Sequence, residues 1–249
     1  MKIRSDKPNP VKTLNRFFTM VFLVFLLSQG EKTFAQPSRI AIINLADSNL
    51  IYKHIGFTTF KDKSDTFNCQ FNCKKYIDRE LSRILSSRYT VSSISIPNKL
   101  LSSNGGIYNP SGINNDVRAW ISSLKNEYDF IVFVETGEQD DIMDTKKQKL
   151  WSSGLYSRGT GTKSWVAVFS TARFTLIRTS NAEAVDYDWS AMDYILPIRD
   201  YQFSREDLLI DPEMLPIIKS ELVKLFDYKM QYFLTNTFLI PDVDSDGYK

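Results

Sequence analysis

Few residues of this 249-residue chain have side chains suited to chemistry, and they are widely spread. Cys69 and Cys73 are its only cysteines and His54 its only histidine. A single imidazole excludes metal sites built on two or three histidines. With both cysteines it still leaves a tetrahedral zinc site one ligand short unless a carboxylate joins. A serine triad would have to recruit His54, yet no G-x-S-x-G elbow is present. The nearest approach, Gly154-Leu155-Tyr156-Ser157-Arg158-Gly159, has the wrong spacing. His54 is therefore expected on the surface or in a loop.

The two cysteines lie four residues apart. In a regular helix their Cα atoms would be about 6 Å apart, inside the disulfide range but with unfavourable side-chain vectors. A Cys69–Cys73 disulfide thus requires an irregular first helical turn, which Asn68 and Asn72 favour. Closing that small loop is worth roughly 2 kcal/mol in the chain-entropy account. The bridge is the expectation. Two buried free thiols are the first alternative, and redox catalysis the second, because redox pairs ordinarily use a two-residue spacer where this chain has three.

Carboxylates gather at Glu135, Glu138, Asp140, Asp141 and Asp144, just past the carboxyl end of an expected parallel strand. Open α/β sheets bind ligands at that end. Carboxylates there suit a cation or an acid–base pair. The plainer reading is a solvated loop running into Lys146, Lys147 and Lys149. Gly154 to Gly161 leads into Trp165-Val166-Ala167-Val168, a strand and not the helix that a phosphate cradle opens, so it is expected to be a mobile loop. Asp242 to Gly247 copies the first half of an EF-hand loop, but the closing Glu would fall beyond Lys249. No cofactor is implied, and no catalytic set assembles.

The elements that must position these residues are legible in the hydrophobic pattern. Arg39 to Leu45 and Phe130 to Val134 are nearly continuous apolar runs, as strands covered on both faces require. Tyr89 to Ile96 reads as a more exposed strand ended by Pro97. Between them, Cys73, Ile77, Leu81, Ile84 and Leu85 form one helical stripe, and Val117, Trp120, Ile121 and Leu124 form another within roughly 114–128. Strand–helix–strand–helix–strand is a parallel layout. Trp165 to Arg178 then reads as one long strand whose Val166, Val168, Ala172, Phe174 and Leu176 share a side. Ala182 to Tyr187 returns antiparallel after Thr179-Ser180-Asn181.

A final helix spans about 212–238. Asp211 caps it with Pro212 in first position, or it starts at Pro216. Its stripe of Ile218, Leu222, Leu225, Phe226, Met230 and Phe233 covers a sheet face. The expected class is α/β, with α+β as the variant. It comprises a two- or three-layer sandwich with a mixed sheet, a parallel βαβαβ first half, an antiparallel hairpin and a long C-terminal helix.

The first 35 residues read as an export signal. Lys2, Arg4, Lys7, Lys12 and Arg16 face one acid, Asp6, and an apolar stretch runs from Phe17 to Leu27. Small residues Thr33 and Ala35 precede Gln36, placing cleavage between Ala35 and Gln36. Eleven helical residues rise about 16 Å, too short for a hydrocarbon core of roughly 30 Å. No cysteine follows the stretch, so the lipid-modified type of signal is not expected. The leader holds six of the 31 basic and two of the 29 acidic residues, so the remainder has a net charge of −2 where the whole chain has +2. The mature chain lacks the basic patch of a nucleic-acid binder. The expected organisation is a single domain over 36–240, with no membrane span, and a polar tail over 241–249.

The order of Arg39-Ile-Ala-Ile-Ile-Asn-Leu45, Tyr128-Asp-Phe-Ile-Val-Phe-Val134, the hairpin from Trp165 to Val185 and the long last helix resembles the envelope α/β domains of TolB-like amino-terminal regions and of the curli-secretion lipoprotein. The resemblance covers most of 38–238. It implies a non-catalytic domain that binds other envelope or extracellular proteins after export to the periplasm, outer surface or medium. Two alternatives stand beside that reading. One is a secreted hydrolase or cation-binding protein using the acidic loop at 135–144, and the other an extracellular small-ligand-binding module.

Overall fold

The computed structural model describes residues 38–55, 63–101, 107–109, 112–140, 149–160, 163–187, 195–197, 210–237 and 239. All lie in the unit Ser38–Lys249. Its elements begin with β1 (Arg39–Leu45), β2 (Leu50–Ile55), β3 (Lys63–Phe67), α1 (Cys73–Leu85) and β4 (Thr90–Ser93). Two-residue strands β5 (Tyr108–Asn109) and β6 (Gly112–Ile113) precede α2 (Asn115–Ser123) and β7 (Phe130–Thr136). A small hairpin of β8 (Glu138–Asp140) and β9 (Lys149–Trp151) leads to β10 (Ser153–Thr160), β11 (Lys163–Ser170), β12 (Ala172–Arg178) and β13 (Glu183–Tyr187). β14 (Ile195–Pro197) and α3 (Leu215–Asn236) complete the order.

The expected α/β fold is present, built as two five-stranded sheets. The first has the order β13-β12-β7-β1-β4, with β4, β1 and β7 parallel and β12 and β13 antiparallel. Alternate residues of β1 reach opposite faces, since in a strand successive side chains point to opposite sides. Ile40 and Ile42 join Ile77 and Leu81 of α1 and Leu222 and Phe226 of α3, whereas Ala41 and Ile43 join Val117 and Ile121 of α2. This sheet is therefore covered on both faces, which is why β1 and β7 read as unbroken apolar runs. Asn72 caps α1, its Oδ1 accepting from Lys75 N at 2.9 Å, and Asn114 caps α2 in the same way.

The second sheet, β14-β11-β10-β2-β3, is not foreseen by the sequence pattern. It corrects three expectations. Gly154 to Gly161 is no mobile loop. Most of it is β10, paired in parallel with β2 and antiparallel with β11. At Gly154, φ is +151° and an added Cβ would stand 2.0 Å from the Ile51 carbonyl oxygen, so the glycine is what lets β10 lie against β2. The run Trp165 to Arg178 is two strands in different sheets. Thr171 turns the chain between them, with its N–H and its Oγ1–H both donated to Ser152 O at 2.8 Å. His54, expected at the surface, is 6 % exposed in β2.

The last helix agrees with both halves of its expectation. Asp211 caps a 3-10 turn at Pro212–Met214, accepting from Glu213 N at 3.0 Å, and α3 follows with Pro216 in its first turn. There the missing N–H costs no helical bond. All six residues of the expected stripe are buried. Among the described residues no helix is long and apolar enough to cross a membrane.

Candidate functional site

The carboxylates of the acidic segment diverge where they are described. Glu135 is the penultimate residue of β7, its side chain buried and accepting a backbone N–H from Ile107. Burial pushes its pKa up, opposed by that hydrogen bond and by the charge of Arg173. Glu138 is exposed on β8 and pairs with Lys149 of β9 at 3.1 Å. Asp140 pairs in register with Lys149, and Asp141 and Asp144 lie outside the described residues. Among the described residues no three metal-ligating side chains come together.

The sole histidine does meet a serine. In the parallel pairing of β2 with β10, His54 lies opposite Ser157, and Tyr52 is two residues back on the same face. Ser157 Oγ is 2.8 Å from His54 Nδ1 and 2.9 Å from the Tyr52 hydroxyl. This is nucleophile-to-base distance. Ser157 and Tyr52, however, are 0 % and 1 % exposed, so the contact is sealed from solvent. Residue spacing alone could not find it, because it depends on a parallel pairing of segments 103 residues apart.

Cys69 and Cys73 are free thiols, both buried, where a bridge was expected. Cys73 is the first helical residue of α1 and hydrogen-bonds inward with Ser153. Burial, reinforced by the neighbouring Cys69, pushes its thiol up to about 12. Cys69 is raised as well, chiefly by burial. Such thiols are poor nucleophiles at neutral pH. Ser153 continues the polar chain, since its Oγ donates to Ser170 Oγ at 2.8 Å, and the Ser170 carbonyl accepts from Lys229 Nζ at 2.9 Å. Lys229 is 1 % exposed on the apolar face of α3. Its spacing from Leu222, Leu225 and Phe226 puts it on the buried stripe, and only its charge disguises the position.

An accessible concavity among the described residues lies elsewhere, at the end of the β2–β3 pair where Leu50 faces Phe67. It is a groove of about 550 Å³ between the loop before β2 and the segment leading into α1. The carboxamides of Asn49, Asn68, Gln70 and Asn72 line it, with the hydroxyls of Ser48 and Thr66. Phe67, Phe71 and Leu50 supply its apolar surface. Asn68 Oδ1 accepts from Gln70 N at 2.7 Å, which holds Gln70 at φ 57°. Ala35 and Gln36, the expected cleavage residues, lie outside the described residues, as does the Asp242 to Gly247 segment.

No family model matches the chain. No curated protein is significantly similar to it. Among solved structures, the chain is similar to the hypothetical protein CT253 from Chlamydia trachomatis, with 9% identity and a TM-score of 0.33, over 80% of this chain and 98% of that one. It is also similar to lipoprotein GNA1162 from Neisseria meningitidis, with 13% identity and a TM-score of 0.25, over 77% and 99%. At those TM-scores neither likeness carries an argument about function.

Proposed function

We propose that this is an exported, non-enzymatic protein that works by binding another protein of the envelope or exterior. The observation that carries the reading is the outer face of α3. Tyr228 and Tyr232 stack there with ring centroids 6.3 Å apart and an interplanar angle of 19°. They are 39% and 38% exposed, and Ile217, three turns earlier on the same stripe, is 45% exposed. Tyrosine is enriched at protein interfaces, where its ring is buried at small entropic cost while its hydroxyl keeps a polar partner. Between Ile217 and the tyrosines, Glu221 and Lys224 pair at 2.6 Å, so one mutually neutralised ion pair lies within the stripe. A binding reading also accords with a serine–histidine contact that no substrate reaches.

The test is site-specific photo-cross-linking in cells, with the cross-linker placed at Ile217. One discrete adduct in the envelope or medium fraction is expected, lost on Tyr228→Ala with Tyr232→Ala while the melting temperature holds. No discrete adduct, or one indifferent to both substitutions, overturns the reading. Export is checked on the same material, since the purified protein should begin at Gln36 by mass spectrometry.

A further inference from the structure

We propose that the groove beside α1 is a binding site for a neutral saccharide. This goes beyond the protein-binding reading and stands or falls separately from it, because the two surfaces use different residues.

The groove is dense in hydrogen-bonding groups, and among the described residues no Asp, Glu, Lys or Arg lines it. Those lining side chains offer an ionic ligand no counter-charge, so a net charge on the ligand would gain no ion pair with them. A sugar hydroxyl both donates and accepts, and a carboxamide offers both functions in one plane. Two of the four carboxamides are held in a defined orientation. Asn68 Oδ1 accepts from Gln70 N and Asn72 Oδ1 from Lys75 N, at 2.7 and 2.9 Å. With their oxygens committed to the backbone, both present Nδ2–H groups as donors. That preorganisation lowers the entropic cost of ordering the groove around a ligand.

The apolar surface fits the same ligand. Phe71 is held by ring contacts to Tyr76 at 5.2 Å and Phe226 at 6.0 Å. Half-buried Phe67 and Phe71 supply flat apolar surface for the C–H faces of a sugar ring. The volume, about 550 Å³, lies within the range of roughly 300–1,000 Å³ that small-molecule sites occupy. A docking polypeptide calls for something else, namely apolar pockets for alternate side chains or a desolvated aromatic anchor. Here Leu50 is the one fully buried apolar lining residue.

Titration calorimetry of the purified full-length protein tests this with maltotriose, xylotriose, N,N′,N″-triacetylchitotriose, a trigalacturonate and an uncharged Ser/Asn-rich peptide. Binding of at least one of the three neutral sugars is expected. Asn68→Asp keeps an oxygen for the Gln70 N–H but replaces the donor by a charge, and should abolish binding without lowering the melting temperature. Gln70→Gly keeps the left-handed φ while deleting one carboxamide, and should weaken binding roughly five- to tenfold. The proposal is overturned if no neutral sugar in the panel binds, if the trigalacturonate or the peptide binds instead, or if neutral-sugar binding is unchanged in both variants.

Discussion

Cys73 ties local chemistry to folding. Burial raises its thiol from the ordinary 9.0 to about 12 on folding, so the folded state holds the proton more tightly. The stability it contributes is complete below about pH 9 and is lost as the pH rises toward 12. Thermal melts above pH 9 should fall with a slope that flattens in Cys73→Ala. In the folded protein at pH 7.5, iodoacetamide should leave Cys73 unmodified until denaturant is added; ready labelling, or a Cys69–Cys73 bridge in exported protein, would refute the buried-thiol account. Glu135 carries the same sign. Burial raises its folded pKa, so stability linked to it is present below its unfolded pKa and lost as the pH rises through the raised folded value. Glu135→Gln should therefore raise the melting temperature at neutral pH and lose that advantage at acidic pH. Ser157→Ala removes one hydrogen-bond partner from both Tyr52 and His54, and should cost about 1–3 kcal/mol in denaturant unfolding.

At the scale of elements, what could be read beforehand depended on whether a segment's pattern was self-contained. α1 and α3 announced themselves because a helix repeats its buried face every 3.6 residues within one segment. β1 and β7 did so because both of their faces are covered. β3, Lys-Ser-Asp-Thr-Phe, is a polar edge strand, largely exposed and held by pairing with β2, and nothing in its composition says strand. β10 reads as a glycine loop until β2 is placed beside it. Gly154→Ala should then be among the more damaging single substitutions, costing about 3 kcal/mol or more in chemical denaturation, since Cβ and the Ile51 carbonyl cannot share the space. The break at Thr171 was hidden for a different reason. Val166, Val168, Ala172, Phe174 and Leu176 all reach the same core, so the alternation runs on unbroken while the chain passes from one sheet to the other.

At the scale of the molecule, one core joins both sheets. Ile42, Val132 and Phe174 of the first share it with Tyr52, Leu155 and Val168 of the second, and Phe226 and Phe233 of α3 sit among them. The unit should therefore unfold in a single transition, with far-ultraviolet dichroism and tyrosine–tryptophan fluorescence giving the same midpoint. Separate midpoints would mean that the second sheet, with its smaller cluster of Ile51, Ile55, Leu150, Tyr156 and Phe169, holds together without the shared core. Phe226→Ala should lower the common midpoint, by about 3–5 kcal/mol of stability.

By itself the sequence determined the α/β class, the parallel first half, the returning hairpin β12–β13 and the apolar face of α3, because periodicity is a property of one segment and survives without its neighbours. It also singled out Cys69, Cys73 and Glu135, while His54 was expected at the surface. Only the tertiary structure decided what those residues do. The Cys73 thiol turns to Ser153, Glu135 to the Ile107 N–H, and His54 to Ser157. The neutral groove likewise draws on two loops some 20 residues apart. Each of these contacts joins positions that no local repeat relates, and they become neighbours only when β2, β10 and α1 are packed together.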